Sequence, residues 1–232
     1  MQKFLNEFTL IDFLSMWLPG AVCLLTWNYY FDGVAEPITR LFGEQDFALV
    51  VYFVACSYLI GTLFQEISQP IKKQIDKTEE VIDYINKIKK NKSIQNAYNK
   101  LSLSKYGKLS LSNQVQENKA SNGLGQDEMV RSIYLYTNYK KVAGSKQTLY
   151  HSFYSLARNS ICADLFICLV HCLNLIVKAQ IEPSQFIVPV LCLLLLLIII
   201  NRCIRFRCLF LESIYCDFLI LYEDQKRRNN LH

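Results

Sequence analysis

Phe186-Ile187-Val188-Pro189-Val190-Leu191-Cys192-Leu193-Leu194-Leu195-Leu196-Leu197-Ile198-Ile199-Ile200 is a run without a charged side chain. Its last eight positions are all Leu or Ile. Extended back to Ile181, it reaches the ~20 mainly apolar residues that a helix needs to cross a bilayer. Working outward, three further blocks read the same way. Ser160–Val177 lies just upstream, with only a short turn containing Pro183 between the two. Phe47–Ile67 and Leu10–Phe31 form a second pair near the start. The last of these is interrupted by Pro19-Gly20 and ends in Trp27, Tyr29, Tyr30 and Phe31, an aromatic cluster suited to a lipid–water boundary. The expected fold is therefore all-α: a polytopic membrane protein with four transmembrane helices and a helical cytoplasmic insertion between the second and third. The expected division is 1–68 for the first two spans, 69–158 for the cytoplasmic region, 159–203 for the last two spans and 204–232 for a cytoplasmic or interfacial helix.

Composition supports lipid as the solvent. Of 232 residues, 52% are hydrophobic and 19% charged, below the usual quarter for a soluble domain. All nine cysteines sit in or beside apolar stretches, and their odd count suits free thiols that pack as small apolar groups. The first block lacks a basic leader, since Glu7 and Asp12 offset Lys3, so it reads as a retained anchor rather than a signal peptide.

Charge sets the orientation. Of 25 Lys and Arg, 16 lie between Gln69 and Arg158, 6 follow Ile200 and Lys3 stands at the start. Only Arg40 and Lys178 fall in the other two connections. Basic residues collect on the cytoplasmic side. Both termini and the polar middle are thus expected inside the cell (inner) membrane, which requires an even number of crossings.

In the polar middle, Ile71, Ile75, Thr78, Ile82 and Ile85 follow a 4-3-4-3 spacing. That spacing predicts one amphipathic helix with a short heptad seam, suited to packing on its own protein or to self-association. Ile71, Ile75, Ile82 and Ile85 are the oligomerisation candidates. A flexible loop is expected over about 101–127, a helix over Glu128–Val142, and another helix starting near Lys146 that runs unbroken into the third span. After the fourth span, Ile204–Tyr222 either extends that helix or lies in the interface plane. Lys and Arg outnumber Asp and Glu by 16 to 7 between Gln69 and Arg158, which favours anionic lipid. No nucleotide or RNA-binding signature accompanies the excess, so nucleic acid is not an expected partner.

Polar groups inside a span are costly and need a partner or a use. Asp164 and His171 are seven apart on one face of the third span, with Asn174 one turn further. The stripe reads either as a hydrogen-bond network holding helices together or as a pore or proton path. Cys168, His171 and Cys172 share a face, yet no second ligand cluster exists, so no metal is expected. Pro19, Gly20 and Gly61 permit close helix approach or a hinge. Glu66 and Arg158 end their spans at one depth and form a candidate interfacial ion pair. No hydrolase motif occurs among the three histidines, so neither enzyme activity nor a cofactor is expected.

Three local patterns point further: Ile11-Asp12-Phe13-Leu14 leading to Leu18-Pro19-Gly20; Tyr58-Leu59-Ile60-Gly61 leading to Ile67-Ser68; and Phe153-Tyr154-Ser155-Leu156-Ala157-Arg158-Asn159. Together they resemble small bacterial four-span proteins with a helical cytoplasmic insert. Some of these accompany antiviral systems, as membrane accessories of RNA-targeting CRISPR loci or as membrane effectors of nucleotide-signalled defence. With short outer loops, a large inner segment and an interior polar stripe, the layout suggests a triggered, oligomeric, pore-forming effector or accessory. A cytoplasmic protein or signalling ligand would then act through 69–158. The alternative is a non-conducting scaffold anchoring a cytoplasmic partner. A small-molecule transporter stands third, because the two halves do not resemble each other.

Overall fold

A computed structural model describes residues 10–31, 46–103, 128–140, 146–178 and 183–229. Eight α-helices run through them: α1 (Leu10–Phe31), α2 (Asp46–Ile67), α3 (Gln69–Ile75), α4 (Glu79–Lys89), α5 (Lys92–Leu103), α6 (Glu128–Lys140), α7 (Gln147–Lys178) and α8 (Ile187–Asn229). A single 3₁₀ turn, Pro183–Phe186, precedes α8. No strand occurs among the described residues. Three helices are long and apolar enough to cross a membrane, over Leu49–Ile67, Gln147–Val177 and Ile187–Asn229.

The burial pattern of α7 explains why lipid is the natural solvent. Its inward face is polar: Asn159, Asp164, His171 and Asn174 are all buried. Its outward face is Leu165, Leu169, Leu173, Ile176 and Val177, with Ile176 75% exposed. A helix in water shows the reverse arrangement. The first half of α8 is exposed almost all round through Leu191, Leu193, Leu194, Leu197 and Ile198. Only surroundings as apolar as leucine itself make that surface inexpensive.

The chain divides into two compact units, Met1–Ile71 with Ser152–Cys203, and Lys72–His151 with Ile204–His232. In the first unit, Cys23, Phe64, Cys162 and Ala163 form a core, with Ile60, Ile71 and Phe166 against it. There α1 and α2 cross with backbones nearly touching. A Cβ added at Gly20 would overlap the Ser57 carbonyl, and one added at Gly61 would overlap the Met16 carbonyl. Ser57 and Gly61 are four apart, so one stripe of small residues admits the α1 backbone. The thiols play a packing role: all nine cysteines are free, and Cys23 points its Sγ at the Ala163 carbonyl.

The second unit obeys water's rules. From Arg207 to Phe218 the large buried residues of α8 recur every three or four positions as Arg207, Phe210, Leu211, Ile214, Tyr215 and Phe218, with Ser213 and Asp217 buried beside them, while Glu212 and Cys216 are exposed. Tyr134 meets Phe210 edge-on at 6.0 Å between ring centroids, and Tyr136 meets Phe218 at 6.0 Å. α8 therefore changes character along its length. Its 43 residues span about 65 Å, roughly twice a hydrocarbon core of ~30 Å. Of the two arrangements expected after the fourth apolar run, the helix simply continues.

The heptad seam requires correction. Residues 71–85 are not one helix. Ile71 and Ile75 belong to α3, Ile82 and Ile85 to α4, with a turn at Asp76-Lys77-Thr78 between them. The Lys77 and Thr78 amides close that turn on the Gln74 and Ile75 carbonyls, and the Thr78 hydroxyl also donates to Ile75 at 2.8 Å. Threonine competes for backbone bonds in this way and starts helices better than it continues them. The break resets the helical phase, so Val81 and Ile88 are the buried residues of α4, while Ile82 is 43% exposed. The expected loop also begins late, since α5 runs to Leu103; residues 104–127 lie outside the described residues. Of the helix expected over Glu128–Val142, the described part is Glu128–Lys140.

Burial pushes the phenols of Tyr84, Tyr134 and Tyr215 in the second unit above the ordinary tyrosine range, and for Tyr84 the Glu212 carboxylate adds to the effect. The folded state thus holds these protons more tightly than the unfolded chain. Their contribution to stability is complete below the unfolded value of ~10 and declines as pH rises beyond it. Thermal melts of the detergent-solubilised protein are expected to be flat from pH 7 to about 8, to decline gently as the buried Cys208 and Cys216 thiols add the same linkage, and to fall steeply above about 10.5. A transition unchanged at high pH would contradict the burial of these hydroxyls.

Candidate functional site

The polar face of α7 forms three successive connections inside the first unit. The first follows from Pro19. A proline has no N–H, so the carbonyl four residues back, Ser15, loses its helical partner. In water that carbonyl would be hydrated; inside a bilayer the protein must supply a donor. Asn159 does so, its Nδ2 donating to the Ser15 carbonyl at 3.2 Å. Its Oδ1 accepts from the Ser68 hydroxyl at 3.2 Å. One amide thus joins α1, α7 and the residue just beyond α2.

The second connection is Asp164. It is 4% exposed and lies beside the Cys192 side chain near the start of α8. Its Oδ1 has no partner among the described residues.

The third is His171, 5% exposed and held from both sides. One ring nitrogen, Nε2, lies 2.9 Å from the Gln185 carbonyl, and Nδ1 lies 2.7 Å from the Tyr30 hydroxyl. A carbonyl only accepts, so Nε2 carries the hydrogen, and in the neutral ring Nδ1 then accepts from Tyr30. The imidazole joins the end of α1 to the turn before α8. Asn174, the third member of the expected stripe, is buried as well.

Glu66 and Arg158 do not pair. Glu66 is exposed on α2, whereas Arg158 is 4% exposed on α7, and no hydrogen bond or ion pair joins them among the described residues. The expectation rested on equal depth and ignored which way each helix face turns. Arg158 instead places its guanidinium carbon 5.8 Å from the centre of the Tyr154 ring. Pro19, Gly20 and Gly61 are all buried at helix contacts. No group of three or more His, Cys, Asp or Glu among the described residues is arranged to hold a metal ion.

The pairing of Asn159 with Ser15 could have been sought in the sequence, because a proline within a span calls for a donor elsewhere. Which of the polar side chains answers could not, since Ser15 and Asn159 are 144 residues apart. The pairing makes a specific expectation. Asn159→Ala should cost about 1–3 kcal/mol, because it removes the amide donor from the Ser15 carbonyl and one of the two acceptors of the Ser68 hydroxyl, the other being the Gln65 carbonyl. In a Pro19→Ala background the cost should shrink, since the restored backbone N–H at position 19 satisfies Ser15 directly. A double-mutant cycle by steric-trap unfolding in bicelles measures this coupling, and strict additivity would contradict the connection.

No protein-family model matches the chain, and neither a curated protein nor a solved structure shows significant similarity to it.

Proposed function

We propose that the chain is a membrane effector or accessory subunit, acting in bacterial antiviral defence. α1, α2 and the apolar stretches of α7 and α8 make four crossings of the cell (inner) membrane, with both termini and residues 69–158 in the cytoplasm. Copies assemble in the bilayer, and a cytoplasmic protein or signalling ligand triggers a change in membrane permeability. The four crossings and their orientation rest on the 22-residue apolar α1 and on the distribution of Lys and Arg. The defence setting rests on the resemblance to four-span accessories and effectors.

The observation that carries the reading is helix continuity. α7 (32 residues) and α8 (43 residues) each join an apolar stretch to a polar one without a break. A tilt or rotation imposed on the polar end is therefore carried by backbone hydrogen bonds into the membrane. The test is dye release from vesicles containing the full-length protein, with candidate triggers added outside. Triggered release that rises with protein density supports an assembled effector. A tight bilayer under all conditions, with the protein shown to be inserted, counts against it.

The second reading, a non-conducting scaffold, draws on a different observation. His171 and Asn159 have their hydrogen bonds met within the chain, which suits a packed bundle better than a water-lined path. Co-purification of a stable cytoplasmic partner with the full-length protein, together with no conductance in planar bilayers, favours the scaffold.

A further inference from the structure

Arg158 presents a problem that the described residues do not solve. It is 4% exposed, and its Nε–H is sealed from solvent without a hydrogen-bond partner. No carboxylate pairs with it among the described residues; the ion pair found there belongs to Arg207 and Asp76. The Tyr154 ring at 5.8 Å offers a weak attraction but accepts no N–H bond in the guanidinium plane. A guanidinium does not escape burial by shedding its proton. A buried, uncompensated cation is among the costliest features a fold can carry.

Depth identifies the missing anion. The next residue, Asn159, is hydrogen-bonded to Ser68, and Ser68 directly follows the apolar stretch Leu49–Ile67. Arg158 therefore lies at the edge of the hydrocarbon, where lipid phosphates are found. The guanidinium fork matches phosphate oxygens two at a time.

We propose that Arg158 is the centre of a binding site for the phosphate of an anionic phospholipid headgroup, which supplies a counter-charge that no described residue provides. The site is formed by the first unit alone and does not depend on any trigger or conductance.

The test is native mass spectrometry of the full-length protein released from nanodiscs of phosphatidylcholine mixed equally with phosphatidylglycerol. The wild type is expected to retain phosphatidylglycerol roughly tenfold over phosphatidylcholine, because the choline ammonium already neutralises its own phosphate whereas the phosphatidylglycerol phosphate has its full charge free for the guanidinium. Arg158→Gln is expected to abolish that preference and Arg158→Lys to keep part of it. A variant with Lys226, Arg227 and Arg228 all changed to Gln should keep all of it. A parallel arm adds 10 mM inorganic phosphate (about this concentration, far above that of the protein) to delipidated protein in neutral detergent. Phosphate retained as well as the lipid would assign the site to a free anion and overturn the headgroup assignment. Equal retention of the two lipids by the wild type overturns the proposal without recourse to any variant. An unchanged preference in Arg158→Gln does so too.

Discussion

Gly61→Ala and Gly20→Ala are each expected to destabilise the protein by about 1–3 kcal/mol, the range for forcing a methyl group into a full contact. The sign is informative. In an exposed helix the same change stabilises by about 1 kcal/mol through propensity. Here the added carbon meets backbone, Ser57 for Gly20 and Met16 for Gly61, and backbone cannot swing aside as a side-chain tip can. The two helices must move apart, and the loss of close contact extends along the crossing. Gly61→Ile should cost more again and separate α1 from α2 altogether. Steric-trap unfolding in bicelles gives the free energy. A disulfide engineered across the crossing reports separation by failing to form. A neutral or stabilising alanine at either position would mean that the helices do not cross at these glycines.

Arg207→Ala carries the other large effect, about 3–5 kcal/mol, the range for removing one partner of a buried ion pair. Arg207 Nε donates to Asp76 Oδ1 at 2.6 Å, with side chains 3% and 14% exposed. The Arg207 guanidinium carbon also lies 5.6 Å from the centre of the Phe210 ring. Removing the arginine leaves a partly buried carboxylate and a gap beside Phe210. The helix break at 76–78 is what puts Asp76 in position, so loss of the pair should loosen the turn between α3 and α4. Hydrogen exchange is expected to speed up in 72–89 and 204–218 and to change little in α1 and α2. Combining Arg207→Met with Asp76→Leu should recover much of the loss, because two apolar side chains replace two buried charges without an orphan. Full stability of the single variant would contradict the burial of this pair.

These two cases differ in how far the sequence announced them. Gly20 and Gly61 were visible as small residues in apolar helices, and close approach was one of the uses expected for them. The apolar runs were equally plain: a stretch such as Leu193–Ile200 has one economical environment, whatever surrounds it. The unbroken passage of α7 from Gln147 into its apolar half was legible for the same reason, since no Gly or Pro interrupts it.

Pairings between distant polar residues were not legible. Asp76 meets Arg207 across 131 positions and Tyr30 meets His171 across 141. Such choices depend on which helix faces turn toward each other, and spacing along one helix is silent on that. Glu66 and Arg158 illustrate the error, as residues matched in depth but turned to different surroundings. The 71–85 seam failed for a local reason. A 4-3-4-3 pattern presumes a continuous helix, and Asp76-Lys77-Thr78 carries turn-forming residues that a count of isoleucines ignores. At the candidate site, the position of Asp164, His171 and Asn174 on one buried face followed from cost alone, whereas the role of Asn159 needed the geometry of Pro19.

The most direct measurement is thiol labelling from outside intact cells with a membrane-impermeant maleimide, using one added reporter cysteine at a time in a Cys208→Ser, Cys216→Ser background, with the labelling of that reporter-free parent subtracted. The reporters are Gln2→Cys, Val34→Cys, Asn113→Cys and Asn230→Cys. Four crossings with a cytoplasmic polar segment leave only position 34 reactive, with 2, 113 and 230 reacting once the membrane is opened. Labelling of 113 or 230 in intact cells would contradict the orientation, and labelling of position 2 would contradict the crossing by α1.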